Sequence, residues 1–287
     1  IDYYRRFTKK FPTVKSVAKA KEEDLLTLWQ GLGYYSRIRN FKTACEMVMT
    51  DFDGKIPEDL ELLKKLKGVG DYTAAAIASI CFELPHAVVD GNVIRVISRL
   101  DYYTQNSQST EAKKYFQNAA QELLDTDHAG DFNQAMMELG ATLCQPKPKC
   151  LLCPVKPLCK AATKDPSLLP IKKQMQYIPV EYATLVARHG DQILLKQPSK
   201  SSLIANMWEL PSLYELSTSA ESQWKQYFPI QNKKLKKIGS VNHGITNKRI
   251  KAWVYSYALN KLNLTKFTSS DFKLLHQDDL AKVPLST

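Results

Sequence analysis

No stretch of this 287-residue sequence stays apolar long enough to cross a membrane as a helix, so a helical membrane protein is set aside. There is no internal repeat, which removes solenoids and propellers. Acidic residues are in deficit, 29 Asp and Glu against 40 Lys and Arg. The resulting net charge of +11 argues against a polyanion-avoiding surface and favours a partner such as nucleic acid, although a merely basic surface would carry the same charge. At 44% hydrophobic residues the chain is too apolar to be wholly disordered. Its length suggests about two domains. The chain opens on Ile1-Asp2-Tyr3-Tyr4, without Met or a leader-like pattern and inside an expected helix, so a segment is expected before Ile1 and targeting is not read from this end.

Six cysteines are present, and nothing resembles a small secreted disulfide scaffold. Cys45 and Cys81 lie in apolar helical stretches and are expected to be small buried packing residues. Cys144, Cys150, Cys153 and Cys159 are clustered as C-x5-C-x2-C-x5-C. Four thiolates in one loop suit either an iron–sulfur cluster or zinc. Structural zinc sites usually use two separated C-x2-C pairs, whereas here one pair is flanked by single cysteines. Lys147, Lys149 and Lys156 are interspersed with them, where they could meet a phosphate backbone or simply solvent.

Apolar spacing predicts helices over Glu22–Gln30 and Tyr35–Met49, a short one through Leu60, Leu63 and Leu66, one through Val93, Ile97 and Leu100, and one through Phe132, Met136 and Leu143. These stripes read as core. Residues 161–178 read as a linker, punctuated by Pro166, Pro170 and Lys172-Lys173. Beyond it the period changes to that of strands: Tyr182–Ala187, Gln192–Lys196 across a turn at His189-Gly190-Asp191, and Arg249–Leu259. In the last of these Trp253, Tyr255 and Tyr257 share one face, and Ile250, Ala252 and Val254 the other.

Between the helix ending near Leu66 and one opening near Asp71 stands Gly68-Val69-Gly70. Glycine permits the tight turn, and the free N–H groups at the next helix start form a sequence-neutral phosphate grip. A lone G-x-G is weak evidence, but here Thr73-Ala74 and then Val89-Asp90-Gly91-Asn92 follow. Asp90 is placed to cap a helix, and equally to oppose positive charge developing on a sugar.

In that order, Leu66–Ile77, Val89–Val96 and the four cysteines resemble the helix-hairpin-helix, iron–sulfur DNA glycosylases. Within them, Gly31-Leu32-Gly33-Tyr34-Tyr35-Ser36-Arg37, Asp90-Gly91-Asn92-Val93 and the run Phe132–Gly140 are similar to the MutY adenine glycosylases. The resemblance spans nearly the whole chain. It implies a multidomain protein: an all-α helix-hairpin-helix glycosylase domain with an iron–sulfur loop over 1–160, the linker over 161–178, and an α+β MutT/Nudix-like domain over 179–287 that reads 8-oxoguanine.

The implied function is base excision repair: a monofunctional glycosylase hydrolyses the N-glycosidic bond of adenine opposite 8-oxoguanine or guanine in double-stranded DNA. A [4Fe–4S] cluster on Cys144, Cys150, Cys153 and Cys159, a monomeric state, no membrane partner and a bacterial cytoplasmic, nucleoid-associated location follow from the same resemblance. So do the roles of the other residues. Gly68, Val69 and Gly70 would hold a phosphate, Asp90 would stabilise the sugar cation, and Tyr72 would line the base pocket. Tyr34 would insert near the lesion unless it is core, and Thr246 and Asn247 would serve in lesion recognition.

Several departures from the family pattern sharpen this reading. Tyr72 stands where the related endonuclease III carries a Schiff-base Lys, so water rather than an amine is expected to attack the sugar. The Glu that protonates the leaving base is expected upstream of Ile1, together with the wedge glutamines; Glu22, Glu23 and Glu83 do not match its motif. The spacing between the first two cysteines is one residue short of the usual family spacing. Asn206-Met207-Trp208-Glu209-Leu210-Pro211 is similar to a MutT-domain stretch, yet Ser212–Phe228 lacks a Glu-rich metal box, so no pyrophosphatase activity is expected. His243-Gly244-Ile245-Thr246-Asn247 stands where the family has a Phe-Ser-His loop. The run Lys233-Lys234-Leu235-Lys236-Lys237 reads as a solvated face or a phosphate contact. Rival readings are a mispair-binding protein that does not cleave, an endonuclease III-like glycosylase/lyase, and, least favoured, an electron-transfer protein.

Overall fold

A computed structural model describes residues 1–197, 207–214, 219–227, 235–260, 267 and 271–285. Asn206, residues 215–218, Phe228, Lys233 and Lys234, which belong to stretches discussed above, lie outside the described residues. The chain divides into two compact units: residues 43–174, and residues 1–42 with 175–287.

The first unit is helical. It takes in the later turns of α4 (Ser36–Asp51), then α5 (Leu60–Lys65), α6 (Asp71–Phe82), α7 (Gly91–Leu100), α8 (Thr110–Leu123) and α9 (Ala129–Thr142); α1 (Asp2–Lys10), α2 (Val14–Ala18) and α3 (Glu22–Trp29) come earlier in the chain. Local chemistry sets the starts. Asp59 accepts from the Leu62 N–H to open α5, and Ser109 accepts from the Ala112 N–H to open α8. One core joins α7, α8 and α9 through Val93, Ile97, Ala112, Phe116, Ala120 and Ala129. The helix α8 was not anticipated; it buries Ala112, Phe116 and Ala120.

Cys45 is buried as expected, but Cys81 is exposed. Helix α6 buries Ala74, Ala75, Ala78 and Ser79, and Cys81 falls on the shoulder of that stripe in the last turn. This corrects the expectation of a packing role for Cys81.

In the second unit, Phe7 meets Phe11, Phe41 and Trp29 with ring centroids 5.5, 6.1 and 6.5 Å apart, beside an apolar cavity of about 520 Å³. The same unit contains a mixed sheet of β1 (Ile178–His189), β2 (Gln192–Lys196), β3 (Ser212–Leu213), β4 (Lys236–Ile245), β5 (Lys248–Ala258) and β6 (Phe272–His276), with one helix, α10 (Ala220–Tyr227). Its order is β4-β5-β1-β2-β6, with β3 also on β1. The central β1–β5 pair is parallel and its neighbours are antiparallel. Ala183, Leu185, Ala187, Tyr255 and Tyr257 point to one side and close over Trp224, as strand alternation requires. The α+β class expected for this part of the chain is the class observed.

Candidate active site and four-cysteine centre

The hairpin between α5 and α6 turns at Gly68, whose φ of +80° lies in the region where only glycine is unstrained. The Val69 N–H turns back to the Leu66 carbonyl at 3.1 Å. Gly70 then caps α6 without any side-chain acceptor. The first-turn N–H groups of a helix have no intrahelical acceptor, so this end offers donors and the positive pole of the helix dipole. Lys64 ties the two helices together, reaching Glu61 at 3.0 Å and Asp71 at 3.2 Å, while Lys65 and Lys67 are exposed beside the turn. Tyr72 follows on the first turn of α6. It is 46% exposed, and its hydroxyl lies 3.9 Å from Met137 Sδ of α9, so it is not a core aromatic.

Asp90 caps α7. Its Oδ1 accepts from the backbone N–H groups of Asn92 at 2.8 Å and Val93 at 2.7 Å, and its Oδ2 accepts from the Asn92 side-chain amide at 2.9 Å. Capping and chemistry are therefore compatible at one residue, because the bonds that start the helix also orient the carboxylate.

Two features on α9 position this end of α7, and Asn133 and Gly140 fall within the Phe132–Gly140 run. The first is Asn133, 2% exposed. Its amide donates to Ser79 Oγ of α6 and to the His86 carbonyl, both at 2.9 Å, and its oxygen accepts from the Val88 N–H at 2.9 Å. It thus fixes the segment that leads into Asp90. The second is a pair of glycines that let α9 close on two helices. A methyl on Gly130 would fall 2.8 Å from the Ser79 carbonyl oxygen, and one on Gly140 would fall 2.6 Å from Asn92 Cβ.

Arg95 carries the arrangement onward. Its Nη2 donates to Asn92 Oδ1 and to the Gly140 carbonyl, both at 2.7 Å, and its Nε donates to the Cys144 carbonyl at 2.7 Å. A continuous polar path therefore runs from Asp90 through Asn92 and Arg95 to the first cysteine.

All four clustered cysteines are free thiols, half-buried, and line one cavity of about 30 Å³ whose other walls include Val96, Leu139, Leu143 and Val155. Burial is the largest cause raising the Cys159 thiol above its ordinary value, and the nearby Cys144 and Cys150 add to it. Among the described residues no three His, Cys, Asp or Glu side chains converge closely enough to hold a single metal ion. Lys147, Lys149 and Lys156 are exposed around the loop.

The remaining candidates lie in the other unit. Tyr34, with φ +48° and 72% exposure, projects from the Gly31–Tyr34 turn, which excludes a core role. Thr246, φ +52°, and Asn247 form the two-residue turn joining β4 to β5. The Asn247 carbonyl accepts from the Ile178 N–H at 2.8 Å. Lys237 and Lys251 both lie over the Trp253 ring, at 3.4 and 4.0 Å from its centroid, and Lys236 and Lys237 are exposed. Glu209 is buried and accepts from the Tyr214 hydroxyl at 2.5 Å. Burial raises its pKa above the usual carboxylate range.

Residues 1–122 match the family profile described as HhH-GPD superfamily base excision DNA repair protein. An adenine DNA glycosylase of Buchnera aphidicola (subsp. Schizaphis graminum) is 33% identical over 251 residues, which cover 85% of this chain and 71% of that protein. This chain belongs to the adenine DNA glycosylase family. The rat adenine DNA glycosylase is 34% identical over 342 residues, covering 100% of this chain and 66% of the relative. The chain thus spans slightly less than two thirds of the length of that mammalian glycosylase. Among solved structures, a thermostable thymine-DNA glycosylase is similar over 57% of the chain, with 28% identity, a TM-score of 0.52 and 76% of its own length covered. Endonuclease III in a non-covalent DNA complex is similar over 57% of the chain, with 25% identity, a TM-score of 0.50 and 75% of its length covered.

Proposed function

We propose that the protein carrying this chain is a monofunctional DNA glycosylase that removes adenine mispaired with 8-oxoguanine or guanine. The observation that carries the reading is Asp90: an anion held by three hydrogen bonds at the start of α7, on a scaffold that also presents the hairpin. Duplex DNA would be gripped at the hairpin through backbone N–H groups and Lys65 and Lys67, which contact phosphate without reading sequence. The adenine would be flipped out of the stack, at a cost that is lowest at a mispair. As the N-glycosidic bond breaks, positive charge develops on the sugar, and the preoriented Asp90 carboxylate stabilises it. A water molecule then completes hydrolysis. Tyr72, a phenol without an amine, supports water attack over Schiff-base chemistry. The departing base takes up one proton and the attacking water gives one up, so the hydrolysis is proton-neutral. Tyr34 and the Thr246–Asn247 turn are the residues offered to the lesion.

Cys144, Cys150, Cys153 and Cys159 would hold a [4Fe–4S] cluster. The donor set fits: four thiols line one largely apolar cavity, and four cysteine thiolates are the ligand set of such a cluster. Bound there, the cluster would supply a covalent cross-brace for the loop and a one-electron redox centre. The remaining work belongs to the chain: Arg95 and Asn92 link the loop to Asp90, and exposed lysines flank it.

The test compares adenine release from an adenine:8-oxoguanine duplex with release from an adenine:thymine duplex under single turnover, using the full-length protein at fixed salt. Selective release, lost by about 10²–10³-fold in Asp90→Asn with duplex binding retained, is expected. Selective binding without release in the unsubstituted full-length protein would instead favour a mispair-binding protein. Borohydride trapping of a protein–DNA adduct would overturn the monofunctional assignment.

A further inference from the structure

Arg99 and Glu209 are the buried charged side chains among the described residues, and Arg99 is the deeper, at 2% exposure. It lies on α7 against the four-cysteine cavity. Its Nη1 donates to Cys144 Sγ at 3.2 Å, to the Cys144 carbonyl at 3.2 Å and to the Gln145 carbonyl at 2.7 Å. Its Nη2 donates to the Pro146 carbonyl at 3.0 Å, and its Nε to the carbonyls of Pro166 and Leu169 at 2.7 and 3.2 Å. Its own carbonyl accepts from the Ala161 N–H at 3.0 Å and the Cys159 thiol at 3.3 Å. One residue thus touches the first and last cysteines and braces the chain on both sides of the loop.

These bonds engage all three nitrogens of the guanidinium but do not neutralise its charge. Among the described residues no carboxylate is bonded to it. The exposed Asp165 is held below the usual carboxylate range chiefly by Ser167, and Arg99 is the least of the causes. An arginine does not shed its proton inside a protein, so the cation persists. An unpaired buried charge is strongly disfavoured unless an opposite charge lies close. The place where that charge can reside is the adjoining cavity lined by four sulfurs.

We propose that Arg99 is the internal counter-cation of the centre in this cavity: a positioning residue that orients Cys144 and raises the reduction potential of the bound cluster. The proposal rests on the [4Fe–4S] reading. A fixed positive charge and an N–H···S hydrogen bond both stabilise the more negative, reduced state of an iron–sulfur centre. Removing them therefore favours the oxidised state. Lysine in place of arginine keeps the charge but loses the planar fork that spans two segments.

The experiment uses the full chain reconstituted with iron and sulfide, unsubstituted and as Arg99→Gln and Arg99→Lys. Iron and sulfide content, far-UV circular dichroism and the potential by protein-film voltammetry are read. Arg99→Gln is expected to move the potential negative by at least a tenfold change in the reduced-to-oxidised ratio at fixed potential, which is 59 mV for one electron. Arg99→Lys is expected to stay closer to the unsubstituted potential while losing iron faster to a chelator. A folded Arg99→Gln that holds its cluster at the original potential overturns the proposal, as does an identical potential in Gln and Lys variants that both fold. Should Arg99→Gln not fold, ¹⁵N-arginine labelling of the reduced unsubstituted protein keeps the test open. A nitrogen hyperfine coupling that vanishes in Arg99→Lys supports Arg99, and no such coupling overturns it. An unsubstituted chain that binds zinc but no iron or sulfide overturns the cluster reading itself, and the role of Arg99 with it, before any variant is measured.

Discussion

Asn92 holds Asp90 twice: its backbone N–H donates to Oδ1 at 2.8 Å and its side-chain amide donates to Oδ2 at 2.9 Å. The first bond belongs to the helix cap. The second does nothing for the helix and serves only to aim the carboxylate, and Arg95 keeps the amide from rotating by occupying Asn92 Oδ1 at 2.7 Å.

Asn92→Ala leaves the cap and removes the aiming bond. A hydrogen bond to a charged group contributes about 1.5–3 kcal/mol, and about 1.4 kcal/mol is tenfold in rate. Adenine release in the full-length protein is expected to slow roughly 10–100-fold under single turnover, with duplex binding unchanged. A rate within twofold of the original would show that Asn92 does not orient Asp90.

Gly140→Ala pits two effects against each other. Alanine favours the helix by about 1 kcal/mol, but its methyl would sit 2.6 Å from Asn92 Cβ and 3.0 Å from the Asn92 carbonyl oxygen. Overpacking of this kind costs about 1–3 kcal/mol. A net loss of stability of about 1 kcal/mol by urea denaturation is expected, together with slower adenine release because Asn92 is displaced. A stabilised variant with full activity would contradict the close packing of α9 on α7.

Asn133→Leu keeps the volume and leaves two groups without this partner, the part-buried His86 carbonyl and the buried Val88 N–H, while Ser79 Oγ keeps its bond to the Ala75 carbonyl at 2.8 Å. Each unsatisfied group costs about 1–3 kcal/mol, so a loss of at least about 2 kcal/mol by equilibrium unfolding is expected. A loss under about 1 kcal/mol would mean that the segment before Asp90 is held by something else.

Tyr115 donates to Asp101 Oδ2 at 2.8 Å and stacks on Tyr103 with centroids 4.7 Å apart. Burial first, and then the Asp101 carboxylate, push its phenol up to about 12. Because the folded value lies above the unfolded one, the stability this group contributes is fully present below pH 10 and is lost as pH rises through about 12. Tyr182 and Tyr214 are also raised, so ultraviolet titration should find Tyr115 among several tyrosinates that form late, with one fewer late tyrosinate in Asp101→Asn. An unchanged profile would separate Tyr115 from Asp101.

Much of this was legible in the sequence, for local reasons. The hairpin declares itself because Gly68 must turn at positive φ between two apolar stripes. Asp90 declares itself because helix caps are chosen within three residues of chain. The strand β5 reads clearly because alternation sorts Tyr255 and Tyr257 from Ile250 and Ala252. The exposed Cys81 was misjudged because burial there depends on which neighbouring helix arrives, which no local pattern encodes.

The sequence by itself determined the family, the class of each domain, the anionic residue at α7 and four thiols close enough in the chain to share a centre. Only the tertiary structure decided that Asn133 and Gly140 place that anion, that Arg95 connects it to Cys144, and that Arg99 carries a buried charge beside the sulfurs. Caps, turns and clustered ligands are short-range and leave their signature in adjacent residues. Close helix approach and buried-charge compensation join residues about 40–50 positions apart, and they exist only once packing has excluded water.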